Sequence, residues 1–235
     1  EMSKLSSPIL GRAKAKIFVV DDHPLVRDGL AARLGKEADM EVCGGADSVE
    51  QAASRIRTER PDVVILDLAL GEQHGFDLLR KFQSANGHVK MLVLSTYDEA
   101  LYAERALRAG AMGYVNKSAS WDVVVEAIRT VLKGKRYLSP ELAELLLDQS
   151  LGNKQTGPLE AGQARPSSLV VSLTDRELEV FRLIGQGLST GDIAHQLFLS
   201  THTIDSHREK IKLKLKLKTG GELKRLAILW TAENS

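Results

Sequence analysis

Between Lys16 and Gly134 the chain switches repeatedly between two hydrophobic periods. The runs "KIFVV", "MEVCGGA", "PDVVILDLAL", "VKMLVLS" and "AMGYVNK" are short and largely apolar. Each is followed by a longer stretch whose apolar residues recur every three or four positions, such as Val26, Leu30 and Leu34. A continuous apolar run marks a strand covered on both faces. Strands that alternate with helices need crossover connections, and these produce a parallel sheet with helices on both sides. Pro24 suits the first turn of the first helix, Ser48 opens the second, and Gly110 stops the fourth. The expected fold is therefore α/β, a doubly wound five-stranded parallel sheet over residues 15–135.

The pattern then changes. "SPELAELLLDQ" has a cap at Ser139 and Pro140 at the first helical position, and it reads as an extension helix. "SLGNKQTGPLEAGQARPSS" has linker composition, so residues 136–172 are expected to be extension helix and flexible linker. Residues 173–235 carry only helix signals. Thr174 and Glu177 predict a capping box, with Leu173 and Leu178 as its hydrophobic staple. Gly187 ends that helix, Ser189 with Asp192 starts a second, Ser200 a third, and Thr219 with Glu222 a fourth. Short helices joined by tight turns in so small a bundle predict an all-α helix-turn-helix domain.

Charge narrows the function classes. Lys+Arg is 32 and Asp+Glu is 31, so any affinity for nucleic acid must come from local clustering. A lone cysteine, Cys43, gives no disulfide framework and no cysteine metal site; on a strand it is expected in the core. The histidines His23, His74, His88, His195, His202 and His207 show no metal-ligand spacing. No apolar run approaches the ~20 residues of a membrane helix, and the opening stretch lacks the apolar region of a signal peptide. A cytoplasmic protein with no membrane contact is expected, loosely ordered up to about Lys14.

Chemistry in an open parallel sheet gathers at the carboxyl ends of the strands. Asp21 and Asp22 follow the first strand and Asp67 the third. Like charges so placed repel one another, and a divalent cation such as Mg²⁺ relieves this through hard oxygen ligands. The fourth strand ends at Ser95 and the fifth near Lys117. One rim would thus offer a carboxylate nucleophile, a metal, a hydroxyl and an ammonium, a set suited to a phosphoryl group on Asp67. Taken singly, Asp22 before Pro24 also reads as a helix cap.

"VVDDHPLVR", "VILDLALGEQHG", "VLST" and "AMGYVNKSA" resemble, in order and spacing, the receiver domain of bacterial two-component response regulators, a flavodoxin-like fold. The resemblance implies that Asp67 is the phosphoacceptor. It implies Mg²⁺ held by Asp22, Asp67 and the carbonyl of Ala69, with Asp21 acting through water. Ser95 and Lys117 would hold phosphoryl oxygens, and Tyr114 would be the aromatic switch. Two positions depart from the family pattern: Ser118 stands where proline is usual, and Leu70-Gly71-Glu72 replaces Met-Pro-Gly. Thr96 and Tyr97 are expected to overhang the site and slow the loss of the phosphoryl group.

"LTDRELEVF", "GLSTGDIA" and "LSTHTIDSHREKI" resemble the LuxR-type DNA-binding domain of the NarL/FixJ response regulators. The third helix would then enter the major groove of double-stranded DNA. Thr203, Asp205, Ser206, Arg208, Glu209, Lys210 and Lys214 are the candidate DNA contacts, and Ile204, Ile211 and Leu215 the inward face. The tail "KIKLKLKLKTGG" alternates like a strand, yet Ile211 and Leu215 keep helical spacing beneath the alternation. Its lysines form a local cationic stretch suited to phosphates. Glycine is usual where Lys216 sits, so either Lys216 takes the left-handed conformation or the helix runs on.

The resemblance implies a phosphorylation-dependent transcriptional regulator rather than an enzyme. Its partners would be a sensor histidine kinase, double-stranded DNA and, once phosphorylated, a second copy of the chain. Two rivals fit less well. A phosphatase with an aspartyl intermediate needs an acid two residues after the nucleophile, where Ala69 stands. A flavin-binding flavodoxin needs a phosphate cradle where "DDHP" would repel phosphate.

Overall fold

The computed structural model describes residues 14–70, 73–84, 89–97, 99–150 and 170–233. The chain divides into two compact units, Glu1–Leu147 and Asp148–Ser235. The expected loose N-terminus and most of the expected linker lie outside the described residues.

The first unit is built on five parallel strands: β1 (Ala15–Val20), β2 (Met40–Ala46), β3 (Val63–Leu66), β6 (Lys90–Ser95) and β7 (Gly113–Asn116). Their order is β2-β1-β3-β6-β7. The central strands are buried on both faces, as their unbroken apolar runs require; Val63 to Leu66 expose at most 1%. A register shift between Ile17 and Phe18 leaves Cys43 opposite no partner on β1. Cys43 is accordingly half-buried on an edge strand rather than in the core, and partial burial pushes its thiol up from the ordinary value.

Helices α1 (Pro24–Leu34), α2 (Val49–Glu59), α3 (Gly75–Ser84), α4 (Glu99–Arg108) and α5 (Trp121–Leu132) cross between the strands. The run read as one strand at "PDVVILDLAL" breaks after Leu66. Ala69–Leu70 (β4) instead pairs antiparallel with Gln73–His74 (β5). Gly75 follows at a close approach, where an added Cβ would lie 2.4 Å from the Asp67 carbonyl oxygen. The extension helix is α6 (Pro140–Ser150), with Ser139 Oγ accepting from Leu142 N at 3.1 Å. Before it, Tyr137 bridges to Gly113 and extends the sheet past β7.

The second unit holds α7 (Asp175–Gly185), α8 (Thr190–Gln196), α9 (Thr201–Lys214) and α10 (Gly220–Glu233). Capping boxes at Thr174/Glu177 and Ser189/Asp192 start α7 and α8. The third expected box is shifted: Thr219 Oγ1 accepts from Glu222 N, but the Glu222 carboxylate accepts from Lys218 N. Ile204, Ile211 and Leu215 of the α9 region are buried, and Phe181 meets Trp230 of α10 edge-on at 5.5 Å. Among the described residues, no helix is long and apolar enough to cross a membrane.

Candidate phosphoryl site and nucleic-acid interface

The sheet ladder continues one residue past the strand ends and so sets the rim. Asp21 N donates to Ala46 O at 3.1 Å, Asp67 N to Val20 O at 2.8 Å, and Lys117 N to Ser95 O at 2.8 Å. Asp21, Asp67 and Lys117 are thereby fixed at the carboxyl edge. Lys117 Nζ lies 2.6 Å from Asp21 Oδ2 and 2.5 Å from Asp67 Oδ2. Both carboxylates are 2% exposed, so the one ammonium is shared between two buried anions.

The charges shift each other. Burial pushes the Asp67 carboxyl up, and Lys117 only partly offsets it. Burial also pulls against the Lys117 charge, but Asp67 and Asp21 outweigh it and hold the ammonium above its usual range. Asp22 completes the acidic group: Asp21, Asp22 and His23 each offer a ligand atom within 4.8 Å of the others. Three carboxylates against the Lys117 ammonium leave an excess of negative charge. A hard divalent cation matches that excess, so the donor set fits such an ion.

Asp22 is not the helix cap. His23 is the N-cap residue of α1 and makes no side-chain cap bond. Its Nδ1 instead lies 2.7 Å from Asp22 Oδ1 and 3.3 Å from Asp21 Oδ1. Sequence spacing pointed away from His23, because its role depends on a turn of the backbone over the rim. Arg27 Nη1, one turn along α1, donates to Asp21 O at 2.7 Å.

Ser95 and Tyr114 are fully buried beneath the rim. The Tyr114 hydroxyl donates to Tyr97 O at 2.8 Å, and Asn116 Nδ2 to the same carbonyl at 3.2 Å. Burial drives the Tyr114 hydroxyl far above the ordinary tyrosine range. The Tyr97 ring is itself buried and packs on Tyr102 at 4.9 Å, so of the two residues expected to overhang the site only Thr96 is exposed. Ser118, in place of proline, donates its N–H and its hydroxyl to Asn116 Oδ1 at 2.9 and 2.7 Å. Ala69 N donates to Asp67 Oδ1 at 3.2 Å, and the β4–β5 pairing holds Ala69 beside the acceptor.

On the second unit, α9 exposes Asp205, Glu209 and Lys210. Thr203 supports the helix start, its hydroxyl 2.8 Å from Ser200 Oγ. Ser206 Oγ donates back to His202 O at 3.0 Å, and Arg208 reaches Thr190 Oγ1 at 3.3 Å. Glu209 pairs with Lys212 at 2.8 Å. Lys214, expected to face phosphate, instead lies 2.6 Å from the buried Glu177 carboxylate. The helix ends at Lys214, so Lys216 and Lys218 fall beyond it. Phe198, in the turn before α9, takes a left-handed backbone (φ 52°) and is 61% exposed, which no local sequence signal announced.

A doubly wound sheet with buried acids and a lysine at its carboxyl edge, followed by a helix-turn-helix unit, defines a signal-receiving DNA-binding protein. Family models agree: residues 17–129 match the response regulator receiver domain and residues 171–227 the bacterial regulatory proteins of the luxR family. The chain is 34% identical over 215 residues to the oxygen regulatory protein NreC of Staphylococcus epidermidis, covering 91% of this chain and 96% of that protein. It is also 34% identical to the Fimbriae Z protein of Salmonella typhimurium over 89% of this chain and 94% of that one. A LuxR-family two-component response regulator from Aurantimonas sp. SI85-9A1 is 31% identical with a TM-score of 0.55, over 59% of this chain and 99% of that one. The RcsB response regulator of Salmonella typhimurium shares the fold at a TM-score of 0.62 and 20% identity, over 95% of this chain and 100% of that one. The chain belongs to the response regulators with a receiver domain and a LuxR-type DNA-binding domain.

Proposed function

We propose that Asp67 is the phosphoacceptor of this regulator and that a sensor histidine kinase supplies the phosphoryl group. The observation that carries this reading is the Lys117 ammonium shared between Asp21 and Asp67 in a pocket with excess negative charge. Mg²⁺, held by Asp22, Asp67 and the Ala69 carbonyl with Asp21 acting through water, would neutralise charge on the transferring oxygens. A carboxylate oxygen of Asp67 forms the new bond to phosphorus as the donor's bond to phosphorus breaks. Lys117 then exchanges its contact with Asp67 for a phosphoryl oxygen, and Ser95 donates its hydroxyl to another. Tyr114, tied to Tyr97 O, is the aromatic group that follows this change at the neighbouring strand end.

The receiver spans 15–135, the extension helix and linker 136–172, and the DNA-binding domain 173–235. On α9, Asp205, Ser206 and Glu209 are the base readers, with Thr203, Arg208 and Lys210 at the backbone, while Lys214 holds the helix in place. Acidic readers suit the exocyclic amine of cytosine. The chain acts in the cytoplasm as a regulator rather than an enzyme, and pairs with a second copy when phosphorylated. Incubation with Mg²⁺ and acetyl phosphate, followed by intact-mass measurement, should add a single phosphoryl group. Asp67→Asn should add none; uptake by that variant at the wild-type rate defeats the assignment.

A further inference from the structure

The lysines that alternate from Lys210 to Lys218 do not share one environment. Lys212 is paired with Glu209. Lys214 is paired with Glu177, whose side chain is 4% exposed and which also closes the capping box of α7. An ammonium held by a buried carboxylate fixes α9 against α7. Lys210, Lys216 and Lys218 are exposed and make no ion pair among the described residues.

Lys216 differs from the other two in its backbone. Its φ is 56°, the left-handed region. Leu217 N donates to Lys212 O at 2.8 Å and Lys216 N to Leu213 O at 3.2 Å, the paired bonds that close a helix on a left-handed residue. Glycine takes that conformation without cost, whereas a Cβ crowds the neighbouring carbonyl. The Lys216 side chain is exposed, so burial gives no return for the strain. Arg60 closes α2 in the same left-handed conformation, so what sets Lys216 apart is its place: an exposed ammonium with no carboxylate partner among the described residues, just beyond the C-terminal end of α9.

We propose that Lys216 is a DNA-phosphate contact. Its ammonium, carried on the left-handed cap just beyond α9, neutralises one backbone phosphate beside the groove that α9 enters. Of the lysine run, Lys210, Lys216 and Lys218 then remain for phosphates, while Lys212 and Lys214 are paired with carboxylates. This rests on DNA binding by the luxR-family domain and adds a contact at a position where that family usually has glycine.

The test is a salt titration of the full-length protein on a short fluorescein-labelled duplex of mixed sequence, read by anisotropy. Lys216→Gln should lower the slope of log affinity against log salt by about 0.9, the value for one released phosphate counterion. Lys216→Gly should lower it equally and also raise the melting temperature of the C-terminal unit, because the strain is gone. Lys214→Gln should keep the wild-type slope and lower the melting temperature. A wild-type slope for Lys216→Gln overturns the proposal, as does a slope lost on glycine substitution alone, which would place the effect in the backbone. Wild-type protein that fails to bind the duplex defeats the DNA reading together with the proposal. Wild-type binding with an unchanged Lys216→Gln slope defeats the proposal alone.

Discussion

The receiver rim and the recognition helix both display charge, but under opposite conditions. At the rim, Asp21 and Asp67 are 2% exposed and answer to a single lysine. On α9, Asp205, Glu209 and Lys210 stand in water. A buried charge must find a partner of opposite sign within a few ångströms, or its desolvation destabilises the fold. An exposed charge needs only solvent. The rim therefore dictates which residue types it tolerates, whereas the exposed face of α9 is free to vary.

That contrast is sharpest under removal of a cation. Lys117→Met leaves two buried carboxylates facing one another. The first unit should lose about 3 kcal/mol, read as a drop in the receiver transition by calorimetry. Mg²⁺ should restore part of this loss, since it supplies the missing positive charge. A receiver as stable without Lys117 as with it would erase the distinction between the two surfaces.

The C-terminal unit has its own buried charge, which makes the contrast one of environment rather than of domain. Lys214→Met strands the Glu177 carboxylate. Because Lys214 is itself 36% exposed, the expected loss is smaller, about 1–2 kcal/mol in chemical denaturation. No measurable loss would mean that water replaces the ammonium at Glu177 without cost.

The smallest effect is a pH dependence. Burial, with the nearby Lys210 and Arg176 charges, holds His207 of α9 below its ordinary value, against the opposing pull of Glu177 and Glu179. The unfolded chain thus binds the proton more tightly than the folded one. The stability in question is complete above about pH 6.5 and is lost as pH falls toward the folded value. His207→Gln should flatten this slope in melts between neutral pH and mild acid.

Much of this was legible in the chain. Element order followed from hydrophobic period, and the Thr174, Ser189 and Ser200 caps from residue types three positions apart. Such signals are local, so a single sequence contains them. The candidate rim residues were readable because strand ends place them, although His23, Arg27 and Asn116 were missed. Their roles depend on how loops fold back over Asp21 and Tyr97.

The lysine run divides the two kinds of information most clearly. The sequence by itself determined that Ile211 and Leu215 would face inward beneath an alternating surface, because burial follows the helical period. It left open whether Lys216 would cap the helix or extend it. Only the tertiary structure decided that Lys216 turns left-handed, that Lys214 meets Glu177 37 residues away, and that Lys210 meets no carboxylate among the described residues. Periodicity fixes which side of a helix is apolar. The partner of a long flexible cation is fixed by which distant carboxylate the fold has already buried within its reach.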